Sequence, residues 1–264
     1  MRIIRHSSYI KQRKRRARYL ALIGFAVLTS TLFIALNPAL ILPSYIAMLG
    51  GFVTFNIGMQ QIGRWSRNPR NDQLLDRHLD KLGERYALVH YADAGGKRVE
   101  HVLIYPGGAL VLTAKEIDGK ISVNKNRWRR KSSGLRRLFS FSGPQLGNPG
   151  QETDAAVANL ESFLEEAQLE IDVNGLIVFL HPLAELEVEE PEYPVLHSDE
   201  VVSFVHHLEP DESFSREERE RLIGLLSQGA DEQAPTTTGS RRRPVKRRGS
   251  AVRSAAATPS EKAS

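Results

Sequence analysis

Residues 98–115 read RVEHVLIY-PGG-ALVLTAK, and the fold class follows from this stretch. Two runs rich in β-branched and aliphatic residues, 98–105 and 109–115, flank a Pro106-Gly107-Gly108 turn, the pattern of two adjacent strands. Upstream, YALVHY (86–91) is a third strand, closed by the turn residues Ala94-Gly95-Gly96. Downstream, Asp118-Gly119 turns into KISVN (120–124). The result is a meander of three or four short strands. Before it, DQLLDRHLDKLG (72–83) sets Leu74, Leu75, Leu79 and Leu82 at helical spacing and ends on Gly83. After it, residues 151–168 read as a helix through Ala155, Ala158, Leu160, Phe163 and Leu164. GLIVFL (175–180) is a continuous apolar strand buried on both faces, and 186–188 is a further short strand. Residues 198–207 and 213–227 are helices, the second with Ser215 as its N-cap. This order predicts an α/β sandwich, a small mixed sheet flanked by helices.

The chain before this region is of another kind. Residues 19–36, YLALIGFAVLTSTLFIAL, carry no charge and as a helix would cover roughly 27 Å, close to the thickness of a bilayer's hydrocarbon layer. Asn37-Pro38 marks a turn, and a second uncharged run starts at Ala39. The pattern predicts a transmembrane hairpin of helices over 19–36 and 39–61. Eight Lys or Arg precede the first helix, Arg64, Arg67 and Arg70 follow the second, and no basic residue lies between. The positive-inside rule then puts both termini in the cytoplasm of a two-pass protein of the cell membrane, with anionic lipid at the basic flanks. A cleaved signal peptide is the alternative; no small-x-small site ends the first run, and a second apolar run follows at once.

Charge divides the 264 residues further. The net charge is +5, but residues 1–18 carry +8, 19–71 carry +3 and 229–264 carry +5, leaving −11 on residues 72–228. The basic character belongs to the ends, so nucleic-acid binding by the middle has to be local. The chain has no cysteine, which excludes a disulfide scaffold, a thiolate zinc site and a cysteine nucleophile. One basic segment stands out in the middle. Residues 125–139, KNRWRRKSSGLRRLF, read as an irregular loop, with Arg127, Trp128, Arg129, Arg130, Lys131, Arg136 and Arg137 as candidate contacts to nucleic acid or anionic lipid. Trp128 reads either as a base-stacking platform or as cover over the sheet. From Gly229 onward the chain is Ser/Thr/Pro/Ala/Arg-rich, carries RRRPVKRR at 241–248, and lacks the apolar periodicity of a folded segment. No G-x-S-x-G, phosphate-binding G-x-x-x-x-G-K-[ST] or H-E-x-x-H motif is present, and the adjacent His206-His207 pair is not metal-ligand spacing.

The strand order, the Gly-containing turns, Trp128 and the Asn148-Pro149-x-Gln151 helix start together resemble the nuclease-related domain, a branch of the PD-(D/E)XK nuclease fold, from about residue 71 to 205. The resemblance implies a PD-(D/E)XK-like domain over 70–208, preceded by the basic N-terminus 1–18 and the hairpin, and followed by an amphipathic helix (213–228) and the tail. It also implies a site. Where the family carries Ile-Asp-His, this chain has Val99-Glu100-His101; where it has Glu-x-Lys, this chain has Thr113-Ala114-Lys115; and the helix acid falls at Asp72. The implied assignments are Glu100, Lys115 and Gln151 as catalytic residues and Glu100 with Asp72 as ligands of Mg²⁺. Two carboxylates on Mg²⁺ and a lysine orienting water are the chemistry of such a site. Thr113 is neutral where the second carboxylate belongs. Glu116, three residues on, falls on the opposite face if the strand continues. The sequence therefore points to a degenerate nuclease-like module at the membrane that binds nucleic acid or a protein partner. An active Mg²⁺-dependent nuclease and a lipid-associated scaffold are the alternatives.

Overall fold

The computed structural model describes residues 1–131, 145–211 and 214–233. The domain starts at the first residues of the chain. Strand β1 (Arg2–Arg5) enters a sheet, and helices α1 (Ser7–Ile34) and α2 (Ile41–Ser66) leave it and return. Helix α3 (Asn71–Leu79) follows, then strands β2 (Ala87–Ala94), β3 (Lys97–Tyr105), β4 (Gly108–Lys115), β5 (Gly119–Asn124) and β6 (Arg127–Lys131). Helix α4 (Pro149–Glu166), strands β7 (Val173–Phe179), β8 (Ala184–Glu189) and β9 (Val195–His197), helices α5 (Val201–His207) and α6 (Arg216–Leu226), and strand β10 (Asp231–Gln233) complete it.

Seven strands form one mixed sheet in the order β10-β1-β2-β3-β4-β7-β9. β2, β3 and β4 are the antiparallel meander that the Gly-rich turns imply. β4 then pairs in parallel with β7, Thr113 opposite Ile177 and Lys115 opposite Phe179, with α4 in the crossover. Side chains alternate between two cores. Ala109 and Val111 of β4 pack under α4 and α6 with Leu160, Leu164 and Leu222, whereas Leu110 and Leu112 pack under α3 and α5 with Leu75, Leu79 and Val205. This is the sheet flanked by helices expected from the sequence.

Three features depart from the sequence reading. First, residues 2–5 are not a free basic arm: β1 runs parallel to β2 with Arg5 opposite His90, and Ile4 is 1% exposed. Four residues running straight into a helix are too few for strand periodicity to show. Second, residues 127–131 are a strand rather than an irregular loop. β6 pairs with β5, which pairs in parallel with β8, so that basic β6 and acidic β8 flank one small sheet. Arg136, Arg137 and the basic tail lie outside the described residues. Third, the pleat of β2 and β3 breaks where Tyr91 takes a φ of +58°, a rare conformation for an aromatic residue. Val99 consequently faces the same core as Val102, three positions on, and Glu100 leaves the alternation.

The two long helices pack as an antiparallel pair with a seven-residue seam. Ile10, Ala17, Gly24 and Thr31 on α1 meet Ser44, Gly51, Gly58 and Trp65 on α2. A strict seven-residue repeat winds helices left-handed around each other. The small residues allow the backbones to approach closely: a Cβ on Gly24 would sit 2.3 Å from the Phe55 nitrogen, and one on Gly58 2.3 Å from the Ala21 nitrogen. Many of the other apolar side chains, among them Leu22, Phe25, Leu32, Ile46, Leu49 and Phe52, point outward. The hydroxyls of Thr29, Ser30 and Thr54 donate to carbonyls one turn back, so they need no external partner. Both helices are long and apolar enough to cross a membrane.

Candidate functional site

A cleft of about 740 Å³ opens between the last turns of α2 and the ends of β3 and β4. The break at Tyr91 turns Glu100 toward it, and Thr113 and Lys115 enter it from the α4 side of β4. Glu100 and Lys115, paired by the sequence reading, thus share one cavity. Glu116 joins them, because β4 ends at Lys115 and strand alternation no longer governs the next side chain.

Each charge in the cleft is matched by a neighbour. Arg64, in the last turn of α2, pairs with Glu100, and both side chains remain about half exposed at 59% and 45%. An ion pair this exposed is worth at most ~1 kcal/mol, so a ligand can displace it. Arg67 pairs with Glu116. Burial raises the Glu116 carboxyl above its ordinary value, and the Arg67 guanidinium opposes that rise. The Lys115 ammonium donates to both oxygens of Glu152 at 2.7 Å. Thr153, fully buried, donates its hydroxyl proton to the Pro149 carbonyl at 2.8 Å. The Thr113 hydroxyl, 2.7 Å away, is therefore the donor to Thr153. Thr113 is thus a neutral donor already engaged with α4.

Two of the sequence-assigned residues stand elsewhere. Asp72 has no exposed surface and is not part of the cleft lining; its two oxygens accept 2.9 Å hydrogen bonds from Arg70 Nε and Nη2, and Arg5 Nε lies 2.9 Å away. Burial disfavours its charge, yet the Arg70 hydrogen bonds, helped by His90 and Arg5, hold the carboxyl below its ordinary value. Asp72 thus anchors α3 to β1. The same buried network continues from Arg5 to Asp76, and from Asp76 to His90 Nε2 at 2.8 Å. His90 Nδ1 meets His101 Nδ1 at 2.8 Å. Of the two facing ring nitrogens one donates and the other accepts, according to the tautomers. Burial and the neighbouring His90 keep His101 well below its ordinary value. Gln151 is exposed and takes part through its backbone N–H, which donates to the Asn148 side chain capping α4. Its neighbour Glu152, one helical step around, is the residue that reaches Lys115.

The basic strand also differs in detail from its sequence reading. Trp128 turns inward, its ring centroid 6.2 Å from that of Phe179, which favours cover over stacking platform. Arg130 pairs with Asp118, and Lys131 lies 4.0 Å from Glu187. Arg127 and Arg129 remain exposed.

Resident Mg²⁺ needs converging oxygen ligands. Among the described residues no three His, Asp or Glu side chains gather around a common point. Glu100 is tied to Arg64, Glu152 to Lys115 and Glu116 to Arg67. In this arrangement each of these acids faces a cation rather than a shared point.

Sequence reasoning missed Arg64, Arg67 and Glu152. The two arginines read as topology signals, and nothing local placed them over a cleft that forms only when α2 returns to the sheet. For Glu152 there was a signal, an acid beside Gln151 at the start of a helix, but it was one position away from the motif.

A mixed sheet clad by helices on both faces, with a lysine and an acid meeting at a cleft beside the ends of β3 and β4, is consistent with a nuclease-like fold. Residues 69–180 match the family described as the nuclease-related domain. The match begins beside α3 and ends just after β7, so β1, the hairpin, α5 and α6 lie outside it. No curated protein and no solved structure matches the chain.

Proposed function

We propose that this chain is a membrane-anchored, cytoplasm-facing nuclease-related module that acts by binding nucleic acid or a protein partner at the membrane surface rather than by cutting. The observation that carries this reading is Thr113. Its hydroxyl is committed to Thr153 at the position of the missing carboxylate, and the remaining acids of the cleft are each paired with a cation. The outward apolar surface of α1 and α2, and the return of both hairpin ends to one sheet, support an anchor with the N-terminus and the domain on the same side. Residues 2–5 belong to that sheet, which argues against a cleaved leader.

The test uses the full chain in nanodiscs, incubated with labelled single- and double-stranded DNA and RNA in Mg²⁺ or Mn²⁺. Silence from wild type, together with metal binding gained in the double variant Thr113→Glu/Arg64→Gln, is the expected result. Cleavage by wild type that disappears in Lys115→Ala would overturn the reading. Alkaline extraction of membranes and protease protection test the anchor separately: release of the chain into the supernatant would refute it.

A further inference from the structure

A second cavity, of about 510 Å³, lies between the foot of α1 and the hairpin of β2 and β3, lined by Ser8, Tyr9, Lys11, Gln12, Arg15 and Arg98. We infer that this pocket binds the headgroup of an anionic phospholipid bearing two phosphate charges, an inference that rests on the membrane anchor proposed above.

Charge is the first argument. Lys11, Arg15 and Arg98 converge on the pocket, and among the described residues only Asp93, 2.8 Å from Arg98, answers them. Among the described residues neither Lys11 nor Arg15 meets an acid. The balance at the pocket is +2, which two phosphate charges would neutralise. The site is also assembled from distant parts of the chain. Lys11 and Arg15 stand one helical turn apart on α1. Arg98 comes from the domain and is held in place by donating to the Tyr91 carbonyl at 2.8 Å, with its guanidinium 5.1 Å from the centre of the Tyr9 ring. Tyr9 in turn packs against Trp65 and Tyr91, the aromatic cluster joining the hairpin to the sheet.

Depth is the second argument. The uncharged run of α1 starts at Tyr19. At about 1.5 Å per residue, Arg15 lies ~6 Å and Lys11 ~12 Å below that boundary. The headgroup layer of a bilayer is about 5–7 Å deep on each side. The upper rim of the pocket therefore sits within this layer and its floor just beneath it. A headgroup that projects past its first phosphate reaches all three cations, while the bulk of a nucleic-acid duplex is held away by the bilayer above.

The test is native mass spectrometry of the full chain, released from nanodiscs of phosphatidylcholine doped with phosphatidylglycerol, cardiolipin or phosphatidylinositol bisphosphate. Lys11→Gln/Arg15→Gln is compared with Lys14→Gln/Arg16→Gln, which removes the same charge from the same helix outside the pocket. Retention of a doubly phosphorylated lipid that falls tenfold or more in the first variant, and less than threefold in the second, is the expected result. Equal losses would mean a diffuse basic collar and overturn the site. Two competition arms identify the source of the phosphate. Pyrophosphate held as tightly as the lipid, without a bilayer, would make the ligand soluble and overturn the lipid assignment. A single-stranded oligonucleotide displacing the lipid at lower concentration than pyrophosphate would reassign the pocket to nucleic acid. A chain extracted from membranes at alkaline pH would instead refute the anchor, an outcome separate from any of these.

Discussion

Among single side chains, the contrast between Asp72 and Glu100 shows how burial sets the role of a carboxylate. Both were assigned to one metal on motif position. Asp72 is enclosed by two guanidiniums, and breaking a buried pair by removing one partner typically costs about 3–5 kcal/mol. Asp72→Asn is therefore expected to lower the thermal midpoint of the full chain by many degrees, whereas Glu100→Gln, which loses only an exposed pair, should change stability by less than ~1 kcal/mol. Calorimetry of both variants checks the ranking; equal effects would refute it. The same network predicts a pH dependence. His101 is held below its ordinary 6.5, so below that pH the unfolded chain binds a proton the folded chain refuses, and stability falls as pH drops through the window beneath 6.5. Asp72, held below its ordinary 3.8, keeps its stabilising contribution above that value and loses it as pH falls through the folded-state value. Both effects have the same sign. Thermal midpoints measured from pH 8 downward should decline on the acid side, and His101→Phe should remove the first part of the decline.

For the hairpin, the seam makes opposite predictions for different glycines. Gly24→Leu or Gly58→Leu drives a side chain into the facing backbone, and overpacking of this kind costs about 1–3 kcal/mol. Gly63→Ala meets nothing within 4 Å and gains up to ~1 kcal/mol of helix propensity. Crosslinking yield between cysteines introduced at Phe25 and Phe55, whose rings lie 6.4 Å apart, would report the pairing. The first two variants should reduce the yield and the third leave it unchanged. The existence of both helices was legible from their uncharged runs. That their small residues form a repeating seam was present in the sequence too, but the phase of the repeat shows only once the two helices face each other.

Across the molecule, β1 makes the hairpin and the domain one unit. The hairpin is inserted between β1 and α3, and Arg5 just before it binds Asp72 and Asp76 of α3 just after it. Removing residues 2–5 should therefore destabilise the whole sheet although these residues lie outside the family match. Loss of Ile4 alone, 1% exposed, is worth about 2–5 kcal/mol, and Ile4→Ala should lower the thermal midpoint without releasing the chain from membranes. A soluble fragment starting near residue 70 would expose the β2 edge and strand Asp72 beside Arg70 alone. Local pattern was enough for the meander, the order of helices and strands and the two long apolar helices, because strand alternation, helical spacing, turn residues and charge runs are properties of short segments. The partners of those residues were not legible. Arg64 on Glu100, Glu152 on Lys115, Arg5 on Asp72 and Arg98 beside Lys11 join positions between 36 and 87 residues apart, and such pairings arise only when β1, α1, α2 and α4 close against the sheet, since contact across that separation depends on packing and not on neighbouring sequence.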